Sequence, residues 1–371
     1  MKSISFKKII RKIHLILGLS SGLIVLLLGI TGCILAFETE IRSMTEKYRF
    51  VQVQDKPYLS PSVLKTIAEK ELTSHHTVGI EYPGKGKAAM APYYDETHYE
   101  IVFLDPYTGA VLKHKDMTQD FFRIILDGHF YLWLPHHIGQ PIAASATLIF
   151  LVMLISGLIL WWPKNKSARK QRFSIKWSAK WRRKNYDLHN VLGFYMTWVA
   201  IFITITGLVF GFQWFAKSVY WVTSAGSSMP EHVHPVSDTT KTATVDIADQ
   251  VWQQHLRTTP EKESLGIYFA AGKAEPVEVV VNHRPGTYYN SDFYHYDQYT
   301  GKELPATGTY AGRFRDARFA DKIARMNYDI HVGAVLGLPG KLLAFFASLI
   351  AASLPVTGFI IWWGRRKKSK S

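Results

Sequence analysis

Four histidines occupy matching positions in two parts of the chain. His14 and His189 each begin the motif H-x-x-L-G, and the residues that follow them match without a gap. His129 and His331 each end the motif R-x-x-x-D-x-H. Imidazole is a frequent metal ligand, and a b-type haem can take one axial ligand on each side of its plane. The matched histidines therefore indicate two sites for haem b, each with two histidine ligands.

The elements that must position these histidines are four long segments with almost no charge. Residues 13–37, 132–162 and 191–215 contain no Lys, Arg, Asp or Glu, and residues 332–363 contain only Lys341. A bilayer core about 30 Å thick needs about 20 apolar residues in a helix. We therefore predict four transmembrane helices, at residues 9–37, 129–162, 186–215 and 328–363.

The distribution of charge predicts how these helices are oriented. The chain has 44 Lys and Arg against 29 Asp and Glu, a formal charge of +15. The excess lies at the start of the chain, in the loop 163–185 and in the tail 364–371, and such basic segments mark the cytoplasmic side. Both termini are then cytoplasmic, and the segments 38–128 and 216–327 are periplasmic. These two segments are slightly acidic, which argues against binding of nucleic acid.

The periplasmic segments repeat in the same way as the helices. Residues 103–112 read FLDPYTGAVL and residues 295–304 read HYDQYTGKEL, each a strand, a glycine turn and a second strand. The predicted fold is a four-transmembrane-helix bundle, produced by internal duplication, with two α+β periplasmic domains. The single Cys excludes a structural disulfide and any cluster held by several thiolates.

This topology sorts the histidines into two pairs. His14 and His189 lie near the cytoplasmic face, and His129 and His331 lie near the periplasmic face. Two haem b groups held in this way would form an electron path across the membrane. Interfacial packing and a proton relay are the competing explanations. Zinc is less favoured, because each pair offers two imidazoles and no obvious third ligand.

Arginines also recur beside the outer histidines. Arg123 and Arg325 each lie six residues before His129 or His331, and they could pair with haem propionates. A salt bridge to the aspartate four residues later in the chain is the alternative.

Two further points stay open. His136 and His137 are alternatives to His129 as outer ligand, although they have no counterpart before the fourth helix. Small residues such as Gly18 and Gly193 could make room for a macrocycle or could allow close helix packing.

With these motifs the sequence resembles the PepSY-associated transmembrane family. The resemblance rests on the two H-x-x-L-G helices, the two R-x-x-x-D-x-H segments, the paired tryptophans that end two helices, and the DPYTG and DQYTG turns. It implies PepSY-like periplasmic domains and a bacterial inner-membrane protein connected with iron. The family includes di-haem enzymes that reduce ferric siderophores. The resemblance thus implies a membrane-bound ferric-siderophore reductase that releases Fe(II), with haem at the four histidines.

The electron donor must be a separate molecule. The sequence has no glycine-rich dinucleotide fingerprint, and the basic loop is too short for a nucleotide-binding domain. We expect a cytoplasmic protein, a quinol or a diffusible reductant. The alternative functions are a non-redox PepSY-domain regulator of a periplasmic peptidase and a component of a siderophore or iron transporter.

Overall fold

A computed structural model describes residues 5–73, 75–163, 165, 169 and 172–368. Within these residues the chain forms two compact units. The helical unit comprises the described parts of 5–38, 124–216 and 329–368, and the sheet unit comprises those of 39–123 and 217–328.

The described residues form α-helices that range from 5 to 31 residues in length. They are α1 Phe6–Leu35, α2 Glu38–Thr45, α3 Pro61–Leu72, α4 Phe121–Tyr131, α5 His136–Trp161, α6 Trp181–Gly211, α7 Gln213–Thr223, α8 Ile247–Leu256, α9 Phe319–Arg325, α10 Asn327–His331 and α11 Leu338–Lys368. Short 3₁₀ helices cover Lys47–Arg49, Phe314–Asp316 and Ala334–Leu336. The strands are β1 Gly79–Tyr82, β2 Ala89–Tyr94, β3 Tyr99–Leu104, β4 Val111–Asp116, β5 Ser264–Tyr268, β6 Val277–Asn282, β7 Ser291–Tyr296 and β8 Glu303–Leu304.

The helical unit is a bundle of four long helices. In the described chain, α1, α5, α6 and α11 are long and apolar enough to cross a membrane. Helix α1 packs against α5 and α11, and α6 packs against the same two helices. Small residues allow close approach: a Cβ added to Gly29 would lie 2.8 Å from the Cβ of Ala352, and one added to Gly211 would lie 2.6 Å from the Cβ of Ala144. Such contacts are typical of helix packing in membranes.

The outer histidines do not lie on the long helices themselves. The helix predicted at 129–162 is two helices, because α4 ends at Tyr131 and α5 begins at His136. Between them, Leu132 and Trp133 adopt positive φ angles of 58° and 55°. The indole Nε1 of Trp133 donates to the carbonyl oxygen of Ile124 at 2.7 Å, which stabilises this break between the two helices.

The same break occurs in the second repeat, where a single helix was predicted at 328–363. Helix α10 ends at His331 and α11 begins at Leu338. Gly333 and Gly337 turn the chain between them with φ angles of 78° and 66°. His129 and His331 are therefore carried on short helices that precede the membrane-crossing helices.

The sheet unit corrects the prediction of two separate α+β domains. Its strands form one eight-stranded antiparallel sheet in the order β4-β3-β2-β1-β5-β6-β7-β8. Strands β1 and β5 join its halves, with Ile80 opposite Ile267 and Tyr82 opposite Leu265. Pairing these strands satisfies backbone groups that two separate domains would leave at exposed edges.

The two halves of the sheet unit also share one hydrophobic core. Leu64 and Ile80 from the first half belong to the same buried cluster as Val251 and Ile267 from the second half. In addition, the backbone N–H and the hydroxyl of Ser62 in α3 donate to the Asp249 carboxylate in α8, at 2.9 and 2.6 Å.

Candidate functional site

Each of the four histidines contacts a hydroxyl group on a neighbouring helix of the bundle. The contact always uses the Nδ1 atom of the imidazole. The Nδ1–Oγ distances are 2.8 Å for His14 and Ser156, 2.8 Å for His129 and Thr31, 2.8 Å for His189 and Thr357, and 3.0 Å for His331 and Thr206.

The surroundings of the hydroxyl groups favour a proton on Nδ1 of each histidine. Each hydroxyl also lies within hydrogen-bond distance of a carbonyl oxygen of its own helix, and a carbonyl can only accept. A hydroxyl has one proton to donate, and when it donates that proton to the carbonyl, its oxygen accepts from the Nδ1–H of the histidine. These carbonyl contacts are Thr31 to Leu27 at 2.8 Å, Ser156 to Met153 at 3.2 Å, Thr206 to Phe202 at 2.8 Å and Thr357 to Ser353 at 3.0 Å.

His331 gives an independent sign of the same tautomer. Its Nδ1 also lies 3.0 Å from the backbone oxygen of Ile203, and a carbonyl oxygen can only accept a hydrogen bond. In the described chain, the hydrogen bonds of the four rings all use Nδ1. This leaves the lone pair of Nε2 for a metal, the arrangement in which a hydrogen bond to the second nitrogen orients a histidine ligand.

A glycine follows each of these hydroxyl residues and lies against the same imidazole. A side chain at any of the four glycines would contact the ring. An added Cβ would approach the histidine Cε1 to 3.6 Å at Gly157, 3.4 Å at Gly32, 3.3 Å at Gly358 and 3.3 Å at Gly207. The dipeptide Ser-Gly or Thr-Gly is thus a repeated motif that holds one histidine ring.

The structure brings the histidines of the outer pair together. The ring centroids of His129 and His331 are 6.1 Å apart, with an angle of 66° between the ring planes. One metal ion bonded to both imidazoles at about 2 Å would hold the ring centroids roughly 6 Å apart. The spacing of this pair therefore suits two imidazole ligands of one metal ion.

The two pairs are separated along the bundle by nearly the thickness of a membrane. His14 lies on α1 together with Thr31, which holds His129. His189 lies at the matching distance from Thr206 on α6, and Thr206 holds His331. At about 1.5 Å per helical residue, each of these two spacings corresponds to about 26 Å.

Apolar side chains fill the bundle between the two levels. A buried cluster on α5, α6 and α11 contains Leu154, Met196, Ala200, Ala347 and Ala351. Neutral imidazoles tolerate such surroundings, whereas a charged ligand would be costly there.

Both predicted arginines lie in the sheet unit. Arg325 is 3% exposed, and its guanidinium donates to the carbonyl oxygens of Thr309 at 2.7 Å and Ala311 at 2.6 Å. Arg123 is exposed on α4, and its backbone N–H donates to Asp120 at 3.2 Å. Contact of Arg123 and Arg325 with haem propionates stays a prediction.

The remaining candidates have simpler surroundings. His136 and His137 are exposed at the start of α5. An added Cβ would lie 2.9 Å from Met153 at Gly18 and 3.6 Å from Leu354 at Gly193. Both glycines thus face a neighbouring helix of the bundle, and a role in making room for a macrocycle stays a prediction.

The four hydroxyl residues that orient the histidines were not among the residues predicted from the sequence. The sequence contained a pattern for two of them, because Thr31-Gly32 and Thr206-Gly207 follow His14 and His189 at the same spacing. The signal becomes informative only when an acceptor is sought for each Nδ1–H.

The bundle and its histidines define a membrane protein with paired imidazoles at two levels. A comparison with protein families gives the particular class. The model of the PepSY-associated TM region matches residues 11–365, which is nearly the whole chain. The chain belongs to this family, as its motifs predicted. No curated protein matches the chain.

Proposed function

We propose that the protein is a di-haem reductase of the bacterial inner membrane. It passes electrons from the cytoplasmic side to a ferric siderophore in the periplasm, and it releases Fe(II) for uptake. The observation that supports this most strongly is the common arrangement of four histidines, each with Nδ1 bonded to a hydroxyl group and Nε2 available for iron.

The donor set suits haem better than a structural or catalytic zinc ion. Zinc in proteins usually takes three or four protein ligands. Among the described residues, no third His, Cys, Asp or Glu joins either histidine pair in a metal-sized group. Two imidazoles from facing helices are what a b-type haem needs.

The protein's own residues would give the electron path its geometry. The hydroxyl groups hold the Nδ1 proton and fix the orientation of each ring, and the four glycines leave room for the rings. A buried apolar cluster lies between the two levels, where a charged group would be costly. Haem bound by the two histidine pairs would supply a one-electron carrier at each of the two levels.

The proposed reaction balances without any acid, base or nucleophile. Siderophores hold Fe(III) through hard oxygen ligands, which bind Fe(II) more weakly. Each ferric complex gains one electron and becomes ferrous, and the donor on the cytoplasmic side loses one electron. That donor is a protein, a quinol or a diffusible reductant, and no bond of the chelator is broken.

A direct transfer experiment tests the function. The purified full-length protein is reduced anaerobically, freed of reductant and mixed with a ferric hydroxamate complex in the presence of a ferrous-selective chelator. We expect the haem spectrum to return to the oxidised form while an equivalent amount of Fe(II) appears.

Matched variants complete this experiment. His136→Ala/His137→Ala removes two exposed histidines and should behave like the wild-type protein. His129→Ala/His331→Ala should lose the transfer. Reduced wild-type protein that yields no Fe(II) from the ferric complex would rule out siderophore reduction.

A further inference from the structure

A second group of metal-ligating side chains lies in the first half of the sheet unit. His75 follows α3, while Asp95 and His98 lie in the turn between β2 and β3. One ligand atom from each of these three residues lies within 4.8 Å of the other two. The spacing of the three residues along the sequence gave no sign of this cluster.

The turn between β2 and β3 holds two of the three ligands in place. The Asp95 carboxylate accepts the backbone N–H groups of Thr97 and His98, both at 2.7 Å. Its second oxygen lies 3.1 Å from the Nδ1 atom of His98. The third ligand is fixed by stacking, since the His75 ring lies 4.2 Å from the Tyr93 ring at an angle of 13°.

A carboxylate behind the cluster is placed to orient His75. One oxygen of Glu100 lies 3.4 Å from the buried Nδ1 atom of His75. The other oxygen lies 2.6 Å from Nε2 of His114. Among the described residues, the Nδ1 atom of His75 makes no hydrogen bond of good geometry. Carboxylates in this position commonly align histidines that bind metals.

Space for an ion and its water ligands adjoins the cluster. A pocket of about 360 Å³ opens beside it. His98 is the member of the cluster that lines it, together with the polar residues Thr97, Glu100, His114, Asp116 and Thr118.

We propose that His75, His98 and Asp95 bind one divalent transition-metal ion, with Glu100 as the positioning residue for His75. Two imidazoles and one carboxylate are a donor set for first-row ions such as Fe(II), Co(II) and Zn(II), whereas Mg²⁺ and Ca²⁺ prefer oxygen ligands alone. Binding replaces the hydrogen bond between Asp95 and Nδ1 of His98 with bonds from both residues to the metal, and the proton leaves Nδ1 for solvent while Nε2 takes one up, so that the imidazole stays neutral.

Fe(II) is the natural occupant, and this assignment rests on the proposed function. A protein that releases Fe(II) from a chelator produces an ion with a preference for such ligands. A site on the sheet unit would hold the ferrous product after its release. The existence of the metal site itself does not depend on electron transfer.

Equilibrium dialysis of the purified full-length protein against Zn(II) or Co(II) tests the site. Element analysis by mass spectrometry separates both ions from any haem iron. We expect the wild-type protein to bind one equivalent more than His75→Ala/His98→Ala. Glu100→Gln should keep the site but weaken binding about tenfold, the lower end of the range for such orienting groups.

Two further variants make the result decisive. His76→Ala is the matched control, because His76 is an exposed neighbour that pairs with Glu69 at 3.1 Å outside the cluster. Asp95→Asn preserves the size of the side chain and should lose the site without a change in gel-filtration behaviour. Equal binding by the wild-type protein and the double variant, or an equal loss in His76→Ala, would overturn the proposal. Because haem content and siderophore reduction are measured separately, their failure would leave a positive zinc result standing.

Discussion

The two halves of the helical unit hold their histidines in the same way but bend the chain differently. In both halves a Ser-Gly or Thr-Gly dipeptide contacts each histidine, and the inner histidine lies at the same spacing from the hydroxyl that holds the outer one. The break before the long helix uses Leu132 and Trp133 in the first half, but Gly333 and Gly337 in the second. The two halves thus hold their histidines in the same way, although different residues turn the chain before the long helix.

The two halves of the sheet unit show the opposite relation. Their strands match, but the metal cluster of the first half has no copy in the second, where Asn290 and Asp292 stand at the places of His98 and Glu100. There, His283 instead bridges Glu263 at 2.7 Å and Asp292 at 3.0 Å. We therefore expect a function that both repeats share to reside in the helical unit. Metal binding by His75, Asp95 and His98 belongs to the first half of the sheet unit alone.

The largest expected effect comes from filling the space beside the histidine rings. Gly32→Leu and Gly207→Leu should each displace one outer ring, because an added Cβ already lies 3.4 or 3.3 Å from it. We expect each variant to lose nearly all haem of the outer level, measured by pyridine haemochrome. Gly364→Leu is the control, since among the described residues its added Cβ has no neighbour within 4 Å outside its own stretch of helix. Unequal haem losses in the two variants would show that the two repeats do not hold the outer histidines in the same way.

Removing a hydroxyl group should have a smaller effect. Thr31→Val and Thr206→Val keep the shape of the side chain but remove the acceptor for Nδ1–H. Haem affinity should fall by about tenfold in each, as for other groups that orient metal ligands.

Transfer of haem to apomyoglobin measures this difference. The control is Thr204→Val, whose hydroxyl donates to the backbone of Ala200 at 2.7 Å. Unchanged haem transfer in both hydroxyl variants would contradict the assigned role.

Acid should weaken the charged cluster that Glu46 forms with Arg49 and Lys115 in the first half of the sheet unit. Burial alone would raise the pKa of Glu46, but hydrogen bonds from Lys115 and Arg49 outweigh it and lower the pKa to about 2. This carboxylate therefore stabilises the folded state above its ordinary pKa of 4.5, and the stabilisation is lost as the pH falls towards 2. The effect amounts to at most about 3 kcal/mol.

Acid unfolding, monitored by tryptophan fluorescence, tests this prediction. Glu46→Gln should show a shallower loss of stability between pH 4.5 and 2 than the wild-type protein. Asp55→Asn, at an exposed position, should follow the wild-type curve. Parallel curves for Glu46→Gln and the wild-type protein would show that this cluster does not govern acid stability.

The smallest expected effect concerns the contact between the halves of the sheet unit. Ser62→Ala removes the hydroxyl bond to Asp249 but keeps the backbone N–H bond. The free energy of unfolding in urea should fall by about 1 kcal/mol. The exposed Thr66, whose hydroxyl donates to the backbone of Ser62, provides the control Thr66→Ala. A loss no larger than that of the control would show that the hydroxyl bond does not stabilise the joined sheet.

Charge and repetition in the sequence were enough to predict the four long helices and the family. They could not predict the break before α5, because the apolar sequence runs on through Leu132 and Trp133, neither of which usually adopts positive φ. The break before α11 falls at Gly333 and Gly337, which adopt positive φ readily but also occur inside membrane helices. The single sheet was also out of reach, since β1 and β5 pair although they lie in the two different repeats of the chain. The Nδ1 partners depended on packing between helices, which no local pattern records.

The haem content of the purified protein and of its paired variants tests the di-haem proposal most simply. We predict about two b-type haems per chain with low-spin spectra of bis-histidine ligation. We also predict about one haem in His129→Ala/His331→Ala and about one in His14→Ala/His189→Ala. A colourless wild-type protein after expression with ample haem, or full haem content in both double variants, would contradict the proposal.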